Sequence, residues 1–159
     1  METLKNKVAV VTGVGSGIGK AIAMAYAEAG ALLGVGDINE NLLLKTTEDL
    51  KDKNENIISL KTDVSNEEQV KKLIDETVNA HGKLDIIVNN VSVAIGGYPI
   101  TDMSNEDWQK IIGINFSSVF YGCKHSIPYF KKNNGGSIIN IASVQAHNPL
   151  PGWAAYAGI

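Results

Sequence analysis

The sequence predicts an α/β protein built on a doubly wound parallel sheet. Five short apolar runs rich in β-branched residues alternate with longer stretches whose apolar residues recur at helical spacing. The runs are continuous rather than alternating, which indicates strands buried on both faces. Strand–helix alternation at this spacing indicates βαβ units, so helices should cover both faces of the sheet. A chain of 159 residues is long enough for one such domain.

The first half of the chain should supply three strands and three helices. Gly34 and Gly36 weaken the second strand, because glycine packs poorly in a strand interior. Ser65 and Glu68 form a capping box that should start the third helix, and Gly82 should end it. The strands are expected at residues 7–12, 32–37 and 57–61, and the first two helices at 17–29 and 39–53.

The second half should add two strands around one long helical region. Ser104 and Asp107 start this region, which continues to residue 132 despite Pro128. An Asn-Gly-Gly sequence at residues 134–136 ends it. The strands are expected at residues 83–89 and 137–142.

Composition narrows the possible function classes. The formal net charge is −3, and no apolar run approaches the roughly 18 residues of a membrane-spanning helix. We therefore expect neither a nucleic-acid nor a membrane partner. Cys123 is the single cysteine, and no Cys/His/carboxylate spacing indicates a metal site. A cytoplasmic protein without a metal is expected.

A glycine-rich turn follows the first strand and opens the first helix. Glycines let the backbone approach a pyrophosphate closely, and a helix N-terminus offers amide groups and positive potential. The alternative is a turn that binds nothing, but the strand–turn–helix context favours nucleotide binding. The candidate cofactor-binding residues here are Thr12, Gly13, Gly15, Ser16, Gly17, Ile18 and Gly19.

Acidic and amide side chains follow the next three strands. Asp37 stands near the position of an acid that accepts hydrogen bonds from an adenosine ribose, and its alternative role is to cap the following helix. A carboxylate there repels the 2′-phosphate of NADP, and the sequence has no arginine, so NAD is favoured. Asp63, followed by Val64, either accepts the adenine amino group or caps a turn. Asn90 is a further cofactor candidate, whereas Asn89 should tether strand ends.

The last strand leads into a set of residues suited to proton transfer. Ser143 follows that strand, Tyr156 lies thirteen residues on, and Asn115 lies in the long helical region. Alone, each is usually a turn or packing residue. Beside a dinucleotide, a tyrosine hydroxyl can pass a proton to a carbonyl oxygen while the nicotinamide delivers hydride to its carbon. His147 and Trp153 lie between the serine and the tyrosine, and each either contacts substrate or occupies an exposed loop.

These motifs together resemble the short-chain dehydrogenase/reductase family, with its single Rossmann-type domain. The similarity runs from Lys5 to the last residue. One departure is Asn-Asn-Val-Ser at residues 89–92, where the family usually has Asn-Asn-Ala-Gly. The motifs that carry the resemblance are Thr12-Gly13-x-x-x-Gly17-Ile18-Gly19, Asp63-Val64, Asn89-Asn90, Asn115, Ser143 and Tyr156.

The resemblance implies an oxidoreductase of secondary alcohols or ketones, in which Tyr156 is the general acid/base. Ser143 would polarise the substrate carbonyl, and Asn115 would support a water-linked proton relay. The family motif is Tyr-x-x-x-Lys, and the sequence stops one residue before that lysine. We therefore expect residues 1–159 to be a single domain that lacks its C-terminal strands and is inactive by itself. The alternative is a non-catalytic dinucleotide-binding module, and a homodimer or homotetramer is expected in the parent protein.

Overall fold

A computed structural model describes residues 3–53 and 56–159, and within these residues it contains one five-stranded parallel sheet. The strand order is β3-β2-β1-β4-β5, and every neighbouring pair is parallel. The winding reverses between β1 and β4, so the predicted doubly wound sheet is confirmed. The strands are β1 (Val8–Thr12), β2 (Leu32–Asp37), β3 (Ile57–Lys61), β4 (Ile86–Asn89) and β5 (Ser137–Asn140).

Helices connect the strands and cover both faces of the sheet. Two 3₁₀ turns, Ile100–Asp102 and Val144–Ala146, follow β4 and β5. No helix in the described part of the chain is long and apolar enough to cross a membrane. The helices are α1 (Gly17–Glu28), α2 (Glu40–Lys51), α3 (Glu67–His81), α4 (Asn105–Ile111), α5 (Ser118–Lys132) and α6 (Ala154–Ala157).

Strand β1 shows why the apolar runs are continuous. Ala9 and Val11 pack in a cluster with Ala23 of α1, while Val8 and Val10 pack in a second cluster with Leu73 of α3. All six residues are fully buried. Because alternate side chains of a strand point to opposite faces, a strand covered on both sides must be apolar at every position.

Gly34 of β2 has a packing role. A Cβ atom added at Gly34 would lie almost on the hydroxyl oxygen of Thr77 in α3, far inside van der Waals contact. The missing side chain therefore lets α3 approach the sheet closely. Thr77 is fully buried, and its Oγ1 donates to the carbonyl of Leu73 at 2.7 Å.

Two predicted helix starts differ from the structure. Ser65 does not cap α3, because its hydroxyl donates to Asp63 Oδ1 at 2.7 Å. The cap is Asn66, whose Oδ1 accepts from the amide of Gln69 at 3.2 Å. In the same way Asn39, not Asp37, caps α2. At both helix starts two polar side chains lie close together in the sequence, and the one that caps is the one directly before the helix, while its neighbour is engaged in other hydrogen bonds.

The long helical region is continuous but changes its winding in the middle. Ser104 caps α4 as predicted, by accepting from the amide of Asp107 at 3.0 Å. Between α4 and α5 the backbone forms a π-helical turn, Ile112–Ser117. π-Helical turns are rare overall, but those that occur are often found at functional sites. This one contains Asn115.

Candidate active site

The glycine-rich turn lies at the carboxyl end of β1, as the sequence predicts. Gly13 and Gly17 have positive φ angles of 71° and 56°, which residues with side chains rarely adopt. A Cβ atom on Gly19 would collide with the carbonyl oxygen of Gly13. The turn is therefore tight and closely packed on the start of α1. Ser16 is the N-cap residue of α1 but makes no side-chain capping bond.

Asp37, at the carboxyl end of β2, holds two backbone segments together. Its Oδ2 accepts from the amide of Gly15 at 2.8 Å, and its Oδ1 accepts from the amide of Asn39 at 2.8 Å. The carboxylate is half-buried. It therefore fixes the glycine-rich turn to the end of the neighbouring strand, a contact that the sequence did not indicate.

Thr12 and Asn90 join the carboxyl ends of β1 and β4. The Thr12 hydroxyl donates to the carbonyl of Val88 at 3.3 Å and accepts from the amide of Asn90 at 3.1 Å. Asn90 Nδ2 in turn donates to the carbonyls of Thr12 at 3.0 Å and Gly13 at 3.3 Å. These bonds hold the glycine-rich turn in place at the point where the winding of the sheet reverses.

Two further asparagines act as tethers in this structure. Asn89 Nδ2 donates to Asn140 Oδ1 at 2.9 Å, which joins the ends of β4 and β5 as expected. Asn115 Oδ1 accepts from the amide of Val93 at 2.8 Å, and its Nδ2 donates to the carbonyl of Val93 at 2.9 Å. The whole side-chain amide of Asn115 is thus engaged with one residue of the segment after β4.

Ser143 and Tyr156 meet the glycine-rich turn in one cleft of about 770 Å³ at the carboxyl ends of β1, β4 and β5. Ser143 Oγ accepts from the amide of Gln145 at 3.2 Å, so the hydroxyl hydrogen remains available to donate. Tyr156 is half-buried. The predicted site residues that line this cleft are Gly13, Ser16, Gly17, Ile18, Asn90, Asn115, Ser143 and Tyr156.

The other predicted residues do not line the cleft. Thr12 ends β1, Gly15 lies within the glycine-rich turn, and Gly19 lies in the first turn of α1. Asp37 ends β2. Asp63 lies after β3, two strands away from β1, and its Oδ1 accepts from the amide of Ser65 at 2.9 Å, as a turn cap does. Val64 is buried in the core. Their contact with a cofactor stays a prediction.

Sequence reasoning missed several residues of the cleft wall. Val119 lies four positions after Asn115 on the same helical region, a spacing that could have indicated it, whereas Phe116 directly follows Asn115 and has no such signal. The others, except Ile159, lie at or just after the ends of β4 and β5, which the sequence had already marked. The remaining cleft residues are Asn89, Val91, Ser92, Asn140, Ile141, Ala142, Val144 and Ile159.

Comparison with known proteins identifies the family of this chain. The short chain dehydrogenase family matches residues 7–158. A 3β-hydroxysteroid dehydrogenase of Eggerthella lenta is 36% identical over 154 residues, which are 96% of this chain and 59% of that protein. The chain thus spans about three fifths of the length of this relative.

Two solved structures share the fold. One is a short-chain dehydrogenase/reductase from Burkholderia phymatum in complex with NAD, with a TM-score of 0.93, 34% identity, and coverage of 99% of this chain and 56% of that one. The other is NAD⁺-bound xylitol dehydrogenase, with a TM-score of 0.91, 31% identity, and coverage of 98% and 60%. Since the family match extends over nearly the whole sequence, the chain belongs to the short-chain dehydrogenase family.

Proposed function

We propose that the protein carrying this sequence is an oxidoreductase that transfers hydride between NAD(H) and a secondary alcohol or ketone. The observation that carries the proposal is the shared cleft: Ser143 and Tyr156 line the same cavity as the glycine-rich turn. One cavity therefore combines a dinucleotide-binding element with two hydroxyl groups suited to a carbonyl oxygen. The alternative, a dinucleotide-binding module without catalysis, would use only the first of these.

The residues of the turn fit a dinucleotide. Ser16, Gly17 and Ile18 line the cleft at the N-terminus of α1, where helix amides and the helix dipole favour a pyrophosphate. A Cβ atom at Gly17 would meet nothing within 4 Å, so this position is open for close approach of a ligand. Ile18 is 61% exposed at the same edge, which suits an apolar contact with a flat ring.

Asp37 supports NAD rather than NADP. Its carboxylate lies at the end of β2 beside the glycine-rich turn, where it is suited to accept from ribose hydroxyls and to repel a 2′-phosphate. The sequence contains no arginine to neutralise such a phosphate. The two structural neighbours are NAD complexes, which supports the same choice.

Three residues of the cleft have proposed roles. When bound, NAD would accept hydride from the alcohol, and NADH would donate it to the ketone. Tyr156 exchanges a proton with the substrate oxygen through its hydroxyl. Ser143 donates its free hydroxyl hydrogen to the same oxygen and orients it. Asn115 holds the segment at Val93 in place. We propose that Asn115 also supports the water-linked proton relay that membership of the family implies.

The substrate class rests on the names of relatives. One relative is a hydroxysteroid dehydrogenase and one structural neighbour is a xylitol dehydrogenase. A steroid and a polyol have secondary alcohols in common, and little else. We therefore propose that class of reacting group and no particular molecule. A cytoplasmic location belongs to the same proposal.

We further propose a homodimer or homotetramer that assembles through α5. Phe116 and Phe120 lie one helical turn apart and are 60% and 56% exposed, which is unusual for large aromatic residues. Ile127, further along α5, is also exposed. Together they form an apolar surface suited to a second copy of the same helix.

The catalytic proposal is tested with the protein that carries this sequence. Turnover is followed by NADH absorbance against a panel of secondary alcohols and ketones. Tyr156→Phe should lower kcat at least about 100-fold and leave NADH affinity within about twofold, since it removes only the proton. Tyr121→Phe is the matched control, because Tyr121 packs on the core and does not line the cleft. Full activity in Tyr156→Phe would overturn the proposal.

Cofactor choice has its own test. NADH should bind more tightly than NADPH when both are titrated by fluorescence. Asp37→Asn should narrow the difference, because it removes the charge, while its single side-chain oxygen can still accept from one of the two amides, of Gly15 or of Asn39. Asp52→Asn, an exposed aspartate at the end of α2, should leave the difference unchanged. Tighter binding of NADPH by the unaltered protein would contradict the role of Asp37.

A further inference from the structure

Trp153 lies where two loop segments meet beside the cleft. The amide of Gly97, in the segment after β4, donates to the carbonyl of Gly152 at 2.9 Å. The amide of Trp153 donates to the carbonyl of Leu150 at 3.2 Å, which turns the chain toward α6. The segment after β4 and the segment before α6 are therefore held together next to Trp153.

The indole of Trp153 packs against a backbone position that has no side chain. A Cβ atom added at Gly96 would lie 2.9 Å from Cε3 and 3.1 Å from Cδ2 of the indole. Real Cβ contacts are not this short, so even alanine at position 96 would displace the ring. The absence of a side chain at Gly96 thus creates the seat that the tryptophan occupies.

The indole of Trp153 also contacts the ring of Tyr156. The two ring centroids are 6.0 Å apart, and the ring planes meet at 71°, an edge-to-face arrangement that is favourable for aromatic pairs. Helix α6 has only four residues, which is too short to fix its own position. The place of Tyr156 therefore depends on contacts outside the helix, and the indole of Trp153 joins the tyrosine, three positions later in the chain, to the distant residue Gly96.

Trp153 does not itself line the cleft, whereas Tyr156 does. We propose that Trp153, seated on Gly96, is a positioning residue that holds the Tyr156 ring in place for proton transfer. This inference rests on the role proposed above for Tyr156. It makes Trp153 act through the tyrosine and not through contact with substrate. Small displacements of a reacting group can cost about 100-fold in rate, so the contact is large enough to matter.

Kinetics of three variants of the protein that carries this sequence test the inference. Trp153→Ala should lower kcat about 10- to 100-fold with KM for NAD within about twofold, and should shift the pH–rate profile. Trp153→Phe, which keeps an aromatic ring, should recover most of the rate. Trp108→Phe, an exposed tryptophan of α4, is the matched control and should change neither.

Gly96→Ala approaches the same contact from the opposite side. Gly96→Ala should lower kcat by displacing the indole. The same substitution should lower kcat by a smaller factor in a Trp153→Ala background, where no indole remains. The added Cβ would still lie 3.0 Å from the carbonyl of Gly152, so a part of its effect should persist. Full additivity of the two changes would contradict coupling through the indole.

The outcomes separate this inference from the proposed function. If Tyr156→Phe retains turnover, the proposed function fails. If Tyr156→Phe abolishes turnover while Trp153→Ala keeps the wild-type kcat and pH–rate profile, Trp153 is not a positioning residue. NADH binding verifies that each variant is folded. Should Trp153→Ala not accumulate, Gly96→Ala decides, and a wild-type kcat and pH–rate profile in that variant would overturn the inference.

Discussion

Asn115 allows a quantitative test of how the site is held together. In Asn115→Leu the side-chain volume is nearly kept, but both hydrogen bonds to Val93, at 2.8 and 2.9 Å, are lost. A hydrogen bond contributes about 1 kcal/mol net, and a backbone group left unsatisfied costs about 1–3 kcal/mol. Both residues are half-buried, so water partly replaces the lost partners. We therefore expect Asn115→Leu to lower the free energy of unfolding by about 2 kcal/mol, near the lower limit of the range that the loss of these two hydrogen bonds allows.

Urea unfolding of the protein that carries this sequence, followed by circular dichroism, measures this loss. A thermal midpoint should fall by about 4–8 °C, since 1 kcal/mol corresponds to about 2–4 °C for a protein of this size. Asn105→Leu, an exposed asparagine in the first turn of α4, is the matched control and should change stability by less than about 0.5 kcal/mol. Equal stability of the two leucine variants would refute the tether.

A second substitution at the same position isolates the donor. Asn115→Asp keeps an acceptor for the amide of Val93 but places a carboxylate against its carbonyl. Below about pH 4 the introduced carboxyl gains a proton and can donate again, so the stability gap to wild type should shrink. A gap that stays constant between pH 7 and pH 3 would show that the Nδ2 bond contributes nothing.

Three further predictions concern packing, charge and assembly. Gly34→Ala should destabilise the fold by about 1–3 kcal/mol in urea unfolding, and Thr77→Ala should restore part of it, since the two side chains compete for one space. Burial of the Asp85 carboxyl raises its pKa, but the hydrogen bonds from Lys83 and from the amide of Val8 lower it by more. The pKa of Asp85 therefore lies below its ordinary value. Asp85→Asn should therefore cost about 1 kcal/mol at pH 7, and urea midpoints should converge with wild type as the pH falls below about 4. Phe120→Glu should weaken self-association in light scattering, where an unchanged oligomer would exclude this surface.

The fold could be predicted because burial imposes a readable pattern on the strands. Val8 to Val11 must all be apolar in a strand covered on both faces, and that run is visible in the sequence. Helix starts were less predictable. Ser65 and Asn66 are adjacent residues of types that commonly cap helices; in the structure Ser65 bonds to Asp63, and Asn66 caps the helix.

The sequence predicts those residues of the candidate site that follow the ends of strands. Asn90 and Ser143 follow strands, and topology alone places them at one edge of the sheet. The contacts of Asn115 with Val93 and of Trp153 with Gly96 join segments that no local pattern relates. They arise from the three-dimensional approach of loops, which hydrophobic periodicity and residue spacing do not encode.

The bonds between Thr12 and Asn90 also have a kinetic consequence, because the two residues are 78 positions apart in the chain. Strands β1, β2 and β3 with their helices are local in sequence, whereas the pairing of β4 with β1 requires closure of a long loop. The cleft therefore exists only once β4 has paired with β1. A dinucleotide that binds the finished cleft should slow unfolding and leave the folding rate almost unchanged.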